Sequence, residues 1–188
     1  MLGQFLRTLR RQRQMDPLHV TMTGVRMGER FVQIGCDDAS LLGGLAAKVG
    51  LSGSCAVVTF GDEAAKRARR VGVDVGSLID VRVAQPGAIG GDASSVDMVV
   101  VDDTRGTFAR LRDADRAATL ADARRVLRDG GRIEVVERVA LTGFLGGHIT
   151  RPQGYVVESE LATAGFKPVR MLAEKEGIRF VEGLKSTA

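Results

Sequence analysis

The chain reads as an α/β protein built on a doubly wound, mostly parallel sheet of seven strands, closed by a C-terminal antiparallel β-hairpin. Three observations predict it. Short runs rich in Val, Ile and Leu alternate with helical stretches from Arg30 onward. One run, residues 96–102, is almost wholly apolar, as a strand buried on both faces requires. The last two runs flank Glu174-Lys175-Glu176-Gly177 and read as a hairpin.

The elements follow in order. Residues 2–14 are compatible with an amphipathic helix: Leu2, Phe5, Leu6 and Leu9 recur at helical spacing and arginines fill the other side. Asp16-Pro17 ends that segment. Residues 31–34 form a strand and 40–49 a helix, with 50–53 as the return loop. A second strand covers 55–60. The helix over 62–71 starts with acids and ends with Arg67, Arg69 and Arg70, the charge order that suits the helix dipole. Residues 79–84 make a short third strand and 96–102 the fourth. A long helix over 114–128 meets Asp129-Gly130-Gly131, a C-terminal stop signal. The fifth strand is 132–139, a short helix covers 158–164, and the hairpin strands are 166–173 and 178–182. The chain divides into an N-terminal basic segment, residues 1–27, and one domain, residues 28–188.

Composition narrows the function classes. At 188 residues, with 44% hydrophobic and 27% charged residues, the chain can bury roughly two thirds of its unfolded surface in one core. It has no Trp and one Tyr, so that core is aliphatic. No apolar run approaches the ~20 residues of a membrane span, and the N-terminus lacks a signal-peptide pattern. Two cysteines, Cys36 and Cys55, make neither a disulfide framework nor a metal-ligand spacing. A cytoplasmic location is expected. The net charge of +4 is accounted for by Arg7, Arg10, Arg11 and Arg13. The remainder is balanced, which speaks against a nucleic-acid partner. The basic N-terminal face is either a solvated helix face or a peripheral membrane contact through residues 1–14.

Three stretches carry a resemblance to a known family. Val32-Gln33-Ile34-Gly35-Cys36 stands where a glycine-rich strand-to-helix turn belongs. Val96-Asp97-Met98-Val99-Val100-Val101-Asp102 is similar to a hydrophobic fourth strand. Ala123-Arg124-Arg125-Val126-Leu127-Arg128-Asp129-Gly130-Gly131-Arg132-Ile133 is the most specific of the three. Together with Ala164-Gly165-Phe166 and the hairpin, they resemble the class I S-adenosylmethionine-dependent methyltransferases of the small-molecule type, over residues 28–184. The resemblance implies a Rossmann-like fold, S-adenosyl-L-methionine as cofactor, and methyl transfer to a small acceptor.

It also implies where the cofactor sits. The matching positions are Gln33, Gly35, Cys36 and Asp37 at the first turn, Thr59 or Phe60 at the end of the second strand, Gln85 after the third, and Asp102 at the end of the fourth. The family usually places acids at the positions of Gln33, Thr59 and Gln85, and more glycines after Gly35. A charge-assisted bond to a cationic ligand contributes ~1.5–3 kcal/mol, so these departures predict weakened cofactor binding.

Methyl transfer asks the protein for alignment and sometimes a base. Asp102 and His148 are the candidate catalytic residues. Asp103, His19 and Tyr155 are also placed near the expected pocket, and each has a packing or capping role as its alternative. Cys36 precedes a helix start, a setting that lowers a thiol pKa. The apolar loop Thr142-Gly143-Phe144-Leu145-Gly146-Gly147-His148 suggests an apolar small substrate. No metal site can be assembled from two histidines and two cysteines far apart. Two functions stay open: a methyltransferase acting on a small molecule, or a non-catalytic binding or scaffold protein on the same fold that has lost cofactor affinity.

Overall fold

The structure, a computed structural model, describes residues 17–139 and 151–187. The elements in chain order are α1 (Pro17–Met22), β1 (Arg30–Ile34), α2 (Ala39–Val49), β2 (Ser54–Thr59), α3 (Asp62–Val75), β3 (Ile79–Val83), β4 (Val96–Asp103), α4 (Asp113–Val126), β5 (Leu127–Arg138), α5 (Val157–Thr163), β6 (Val169–Lys175) and β7 (Ile178–Leu184). The N-terminal segment 2–14, the loop 142–148 and His148 lie outside the described residues.

All seven strands join one sheet in the order β3-β2-β1-β4-β5-β7-β6, with β7 antiparallel to both its neighbours. Strand order reverses between β1 and β4, which leaves a crevice at their carboxyl ends. Alternation along each strand divides the core in two. Phe31, Met98 and Val100 pack under α1, α2 and α3, with Leu41, Leu45, Ala68 and Phe180. Ile34, Val99, Val101, Ile133 and Val135 pack under α4 and α5, with Leu120, Val126, Leu161 and Phe166. Because β4 is covered on both sides, its apolar run needs no alternation, and Met98 through Val101 are fully buried.

Helix α2 starts at Asp38, whose carboxylate accepts from the Ser40 amide at 2.8 Å. It ends at Gly50. Helix α3 runs one turn past the predicted end at residue 71, to Val75, and closes on Gly76 in the left-handed conformation. The extension was hidden because Val73 is exposed and so breaks the buried stripe of Ala65, Ala68 and Val71. Gly61, with no side chain, precedes α3, so Asp62 is the first helical residue and not its cap.

A larger correction concerns Asp129-Gly130-Gly131. These residues do not stop a helix. Helix α4 ends at Val126, and β5 begins at Leu127. Val96 pairs with Leu127 but Met98 with Arg132, so residues 128–131 bulge out of the ladder. The bulge is tied to the chain end: Gly130 N donates to Lys185 O, and Lys185 N donates to Gly131 O, both at 2.9 Å.

Candidate functional site

At the end of β1, Gly35 turns the chain with φ +83°. A Cβ there would lie 3.0 Å from the Asp102 carbonyl oxygen on β4, so both conformation and space select glycine. Its amide donates to Val58 O at 2.8 Å, holding the turn against β2. The next three residues run over the crevice and into α2.

Three aspartates gather at this turn, each engaged by protein groups. Asp37 Oδ2 accepts from the amides of Arg105 and Thr107 at 3.0 and 3.2 Å, and Oδ1 from the Thr107 hydroxyl at 2.5 Å. It therefore staples the β1–α2 turn to the loop after β4. Asp38 caps α2, and its own amide donates to Asp102 Oδ2 at 2.7 Å. Asp102 Oδ1 accepts from the Thr104 amide and hydroxyl. Burial pushes Asp102 up to about 7, against the lowering effect of those hydrogen bonds.

The remaining predicted cofactor residues divide sharply. Gln33 is fully buried; its amide nitrogen donates to Gly35 O at 3.0 Å, and its Oε1 accepts nothing. Thr59 is also fully buried, with its hydroxyl directed to Gly61 O and Arg82 O. Phe60 packs against the core under α4, and Gln85 is exposed past the end of β3. No acid stands at the end of β2.

Cys36 does not have the reactive thiol its place before a helix suggested. Burial, then the charges of Asp102, Asp37 and Asp38, push it up to about 12; Arg67, which donates from Nε to Cys36 O at 3.1 Å, only partly offsets this. Cys55 is raised to about 12 by burial alone. Neither thiol should react with a disulfide reagent near pH 8 in the folded protein, and both should react in urea. A fast native reaction would show the turn opening.

His19 lies in α1, buried, with its ring centroid 5.9 Å from that of Phe180. That is the packing role, not a base at the crevice. The described residues hold no group of three or more His, Cys, Asp or Glu able to bind a metal. Nor does any described helix have the length and apolarity to cross a membrane.

On the opposite face of the sheet lies a second polar group that sequence reading found only in part. Asp103 is fully buried; Oδ1 accepts from the amides of Phe108 and Ala109, while Oδ2 has no partner. Burial pushes it up to about 6. Nearby on β5, Glu137 lies 2.6 Å from Arg151 Nη1 and 3.4 Å from Arg179 Nη1. Tyr155 presents its ring to two guanidiniums, Arg116 at 5.1 Å and Arg151 at 5.9 Å, and its hydroxyl is buried and unpaired. Glu137 stands between Val136 and Arg138 near the end of a predicted strand, where a charged residue is ordinary, so nothing in the sequence marked it.

Neither a protein-family model nor a curated protein matches this sequence. Solved structures do. A SAM-dependent methyltransferase from Aquifex aeolicus superposes with a TM-score of 0.75 at 17% identity, over 93% of this chain and 92% of that one. The chain has the class I S-adenosylmethionine-dependent methyltransferase fold. A SAM-dependent O-methyltransferase from Thermotoga maritima matches with a TM-score of 0.64 at 16% identity, over 93% of this chain and 68% of that one. The methyltransferase fold is also that of the [4+2]-cyclase SpnF, which matches at 0.67 and 11% identity over 92% and 81% of the two chains. The order of strands and the antiparallel β7 are shared features of architecture; the chemistry belongs to the site residues.

Proposed function

We propose that this chain is an S-adenosylmethionine-dependent methyltransferase acting on a small molecule, with the cofactor held at the β1–α2 turn. The observation that carries this reading is the charge at that turn. Asp37, Asp38 and Asp102 gather at the turn, where the Asp38 amide donates to Asp102 Oδ2 at 2.7 Å and Arg67 Nε reaches Cys36 O at 3.1 Å. Such a negative site suits the sulfonium and ammonium of the cofactor. The unpartnered Gln33 Oε1, buried beside Gly35, is an acceptor suited to a ligand N–H. Once bound, the cofactor supplies an activated methyl group; the protein's part is to orient it and to exclude water.

The ribose end fits less closely, because Thr59 and Gln85 stand where family members have acids. Calorimetry with S-adenosylmethionine and S-adenosylhomocysteine should therefore show weak, saturable binding in the micromolar to millimolar range. Changing the exposed Gln85→Glu should tighten it about tenfold, the worth of one charge-assisted bond. No heat with either ligand at millimolar concentration would remove the methyltransferase reading. A non-catalytic role on the same fold would then stand, favoured by the aspartates of the turn being already satisfied by protein amides.

A further inference from the structure

We propose that the outer edge of β3 is a self-complementary interface whose partner is a second copy of this chain, paired antiparallel across a two-fold axis at Val81. The contact does not depend on the function proposed above. The sheet has β3 at one edge and β6 at the other. An edge strand shows a row of unpaired backbone groups, and a bulge is a common device that keeps other strands off it. Strand β6 has that device, because its register against β7 shifts between Met171 and Ala173. Strand β3 lacks it. Ile79 through Val83 pair with Cys55 through Thr59 one for one, and among the described residues only β2 flanks them.

The phase of that ladder decides which groups are open. Ala84 N donates to Thr59 O. In a parallel ladder one residue turns both its N–H and its C=O to the same neighbour, and the next residue turns both away. Asp80 and Arg82, in phase with Ala84, therefore bond to β2, while Ile79, Val81 and Val83 point their N–H and C=O outward. Setting Val81 against Val81 of a second copy also sets Ile79 against Val83, and Val83 against Ile79. Every outward residue then exchanges both its bonds with the second copy.

Side chains select the same register. Ile79 and Val81 face the layer under α3, so alternation puts Asp80 and Arg82 on the other face. A two-fold axis perpendicular to the sheet keeps each face with itself. Centred on Val81, it places Asp80 of each copy opposite Arg82 of the other. Moved by one residue, it would oppose Asp80 to Asp80 or Arg82 to Arg82, and like charges directly across a ladder repel. Both side chains are accessible, Arg82 37% and Asp80 57% exposed. Within one copy Arg82 Nε donates to Asp80 Oδ2 at 2.7 Å, so the pairing closes a ring of charges of alternating sign.

The face under α3 is apolar at this edge. Val73 and Leu78, 83% and 93% exposed, line an open groove with Ile79, Val81 and Arg69. Large apolar side chains gathered beside an open strand mark a surface that gains by being covered. Arg69 is exposed and can keep its guanidinium in water while its stem packs. A two-fold contact uses the same patch on both copies, so it closes at the dimer and does not propagate.

Sedimentation equilibrium of the full chain at about 10–100 μM is expected to give twice the 20.0 kDa of one copy. Arg82→Asp sets acids against acids across the axis, and Asp80→Arg sets arginines against arginines. Each should weaken self-association at least tenfold. Mixed in equal amounts, the two variants should recover the mass of the dimer, because every acid of one then faces an arginine of the other. The double variant, with both charges exchanged, should self-associate like the native chain.

A native chain that stays at the mass of one copy throughout this range would overturn the proposal. Self-association unchanged in both single variants would also overturn it, by assigning the contact to another surface. So would a mixture of the two variants that stays monomeric. If one single variant fails to fold, the other and the double variant carry the same comparison.

Discussion

Asp37→Ala lowers the stability of the folded chain by about 3 kcal/mol, a drop of roughly 6–12 °C in melting temperature. The residue is buried and accepts three hydrogen bonds from the 105–107 loop. Removing the carboxylate leaves the Arg105 and Thr107 amides without acceptors, at ~1–3 kcal/mol each. Asp37→Asn keeps one oxygen and should lose about half as much. Differential scanning calorimetry of the three proteins checks both figures. Equal melting temperatures would mean that water replaces the staple without penalty. The same change detaches the β1–α2 turn from the loop after β4, so cofactor affinity should fall more than stability alone predicts.

Glu134→Leu should have the opposite sign. Glu134 lies on β5 in the layer under α1, fully buried, and neither carboxylate oxygen has a hydrogen-bond partner. Burial pushes it up to about 9 from an ordinary value of 4.5, and Glu182, its direct cross-strand partner on β7, raises it further; Arg132 and Arg170 only partly compensate. A carboxyl raised in the folded state holds its proton there and loses it in the unfolded chain. Its contribution to stability is therefore full below pH 4.5 and declines as pH rises toward 9. The slope approaches ~1.4 kcal/mol per pH unit inside that window. The raised Asp102 and Asp103 act in the same direction, but their windows close near 7 and 6. Above neutrality Glu134 is the main source of the decline.

Leucine removes both the titration and the unpaired polar atoms. Urea denaturation at about pH 8.5 should show Glu134→Leu more stable than the native chain by on the order of 2–4 kcal/mol, with a smaller gain at about pH 5.5. Parallel pH curves for the two proteins would show that Glu134 has access to water or to a partner.

The strands were the most legible part of this chain. Residues 98–101 are apolar at every position, and 31–34 at all but Gln33, because helices cover both faces of the sheet there. Helix α2 was placed over 40–49 with its return loop at 50–53, and the structure starts it one residue earlier, capped by Asp38, and ends it at Gly50. The errors fell where two local meanings share one signal. Asp129-Gly130-Gly131 suits a helix stop as well as a strand bulge, and the choice between them was made by Lys185, far along the chain. Val73-Asp74-Val75 continues α3 although its exposed valine spoils the amphipathic pattern.

The candidate site was legible by position and not by state. The family resemblance put Gly35, Asp37 and Asp102 around one turn, and the structure gathers that turn against the end of β4, where strand order reverses. That Asp37 clamps the 105–107 loop depends on segments some seventy residues apart, and that Asp103 keeps one oxygen unpaired depends on what is packed around it in the buried layer. From sequence alone came the α/β class, the strand succession and the family resemblance, since these rest on hydrophobic periodicity and short-range capping. Tertiary structure alone decided which carboxylates are buried, which are satisfied and which are left open. Desolvation and hydrogen bonding are set by the groups packed around an atom, and those groups are rarely its neighbours in the chain.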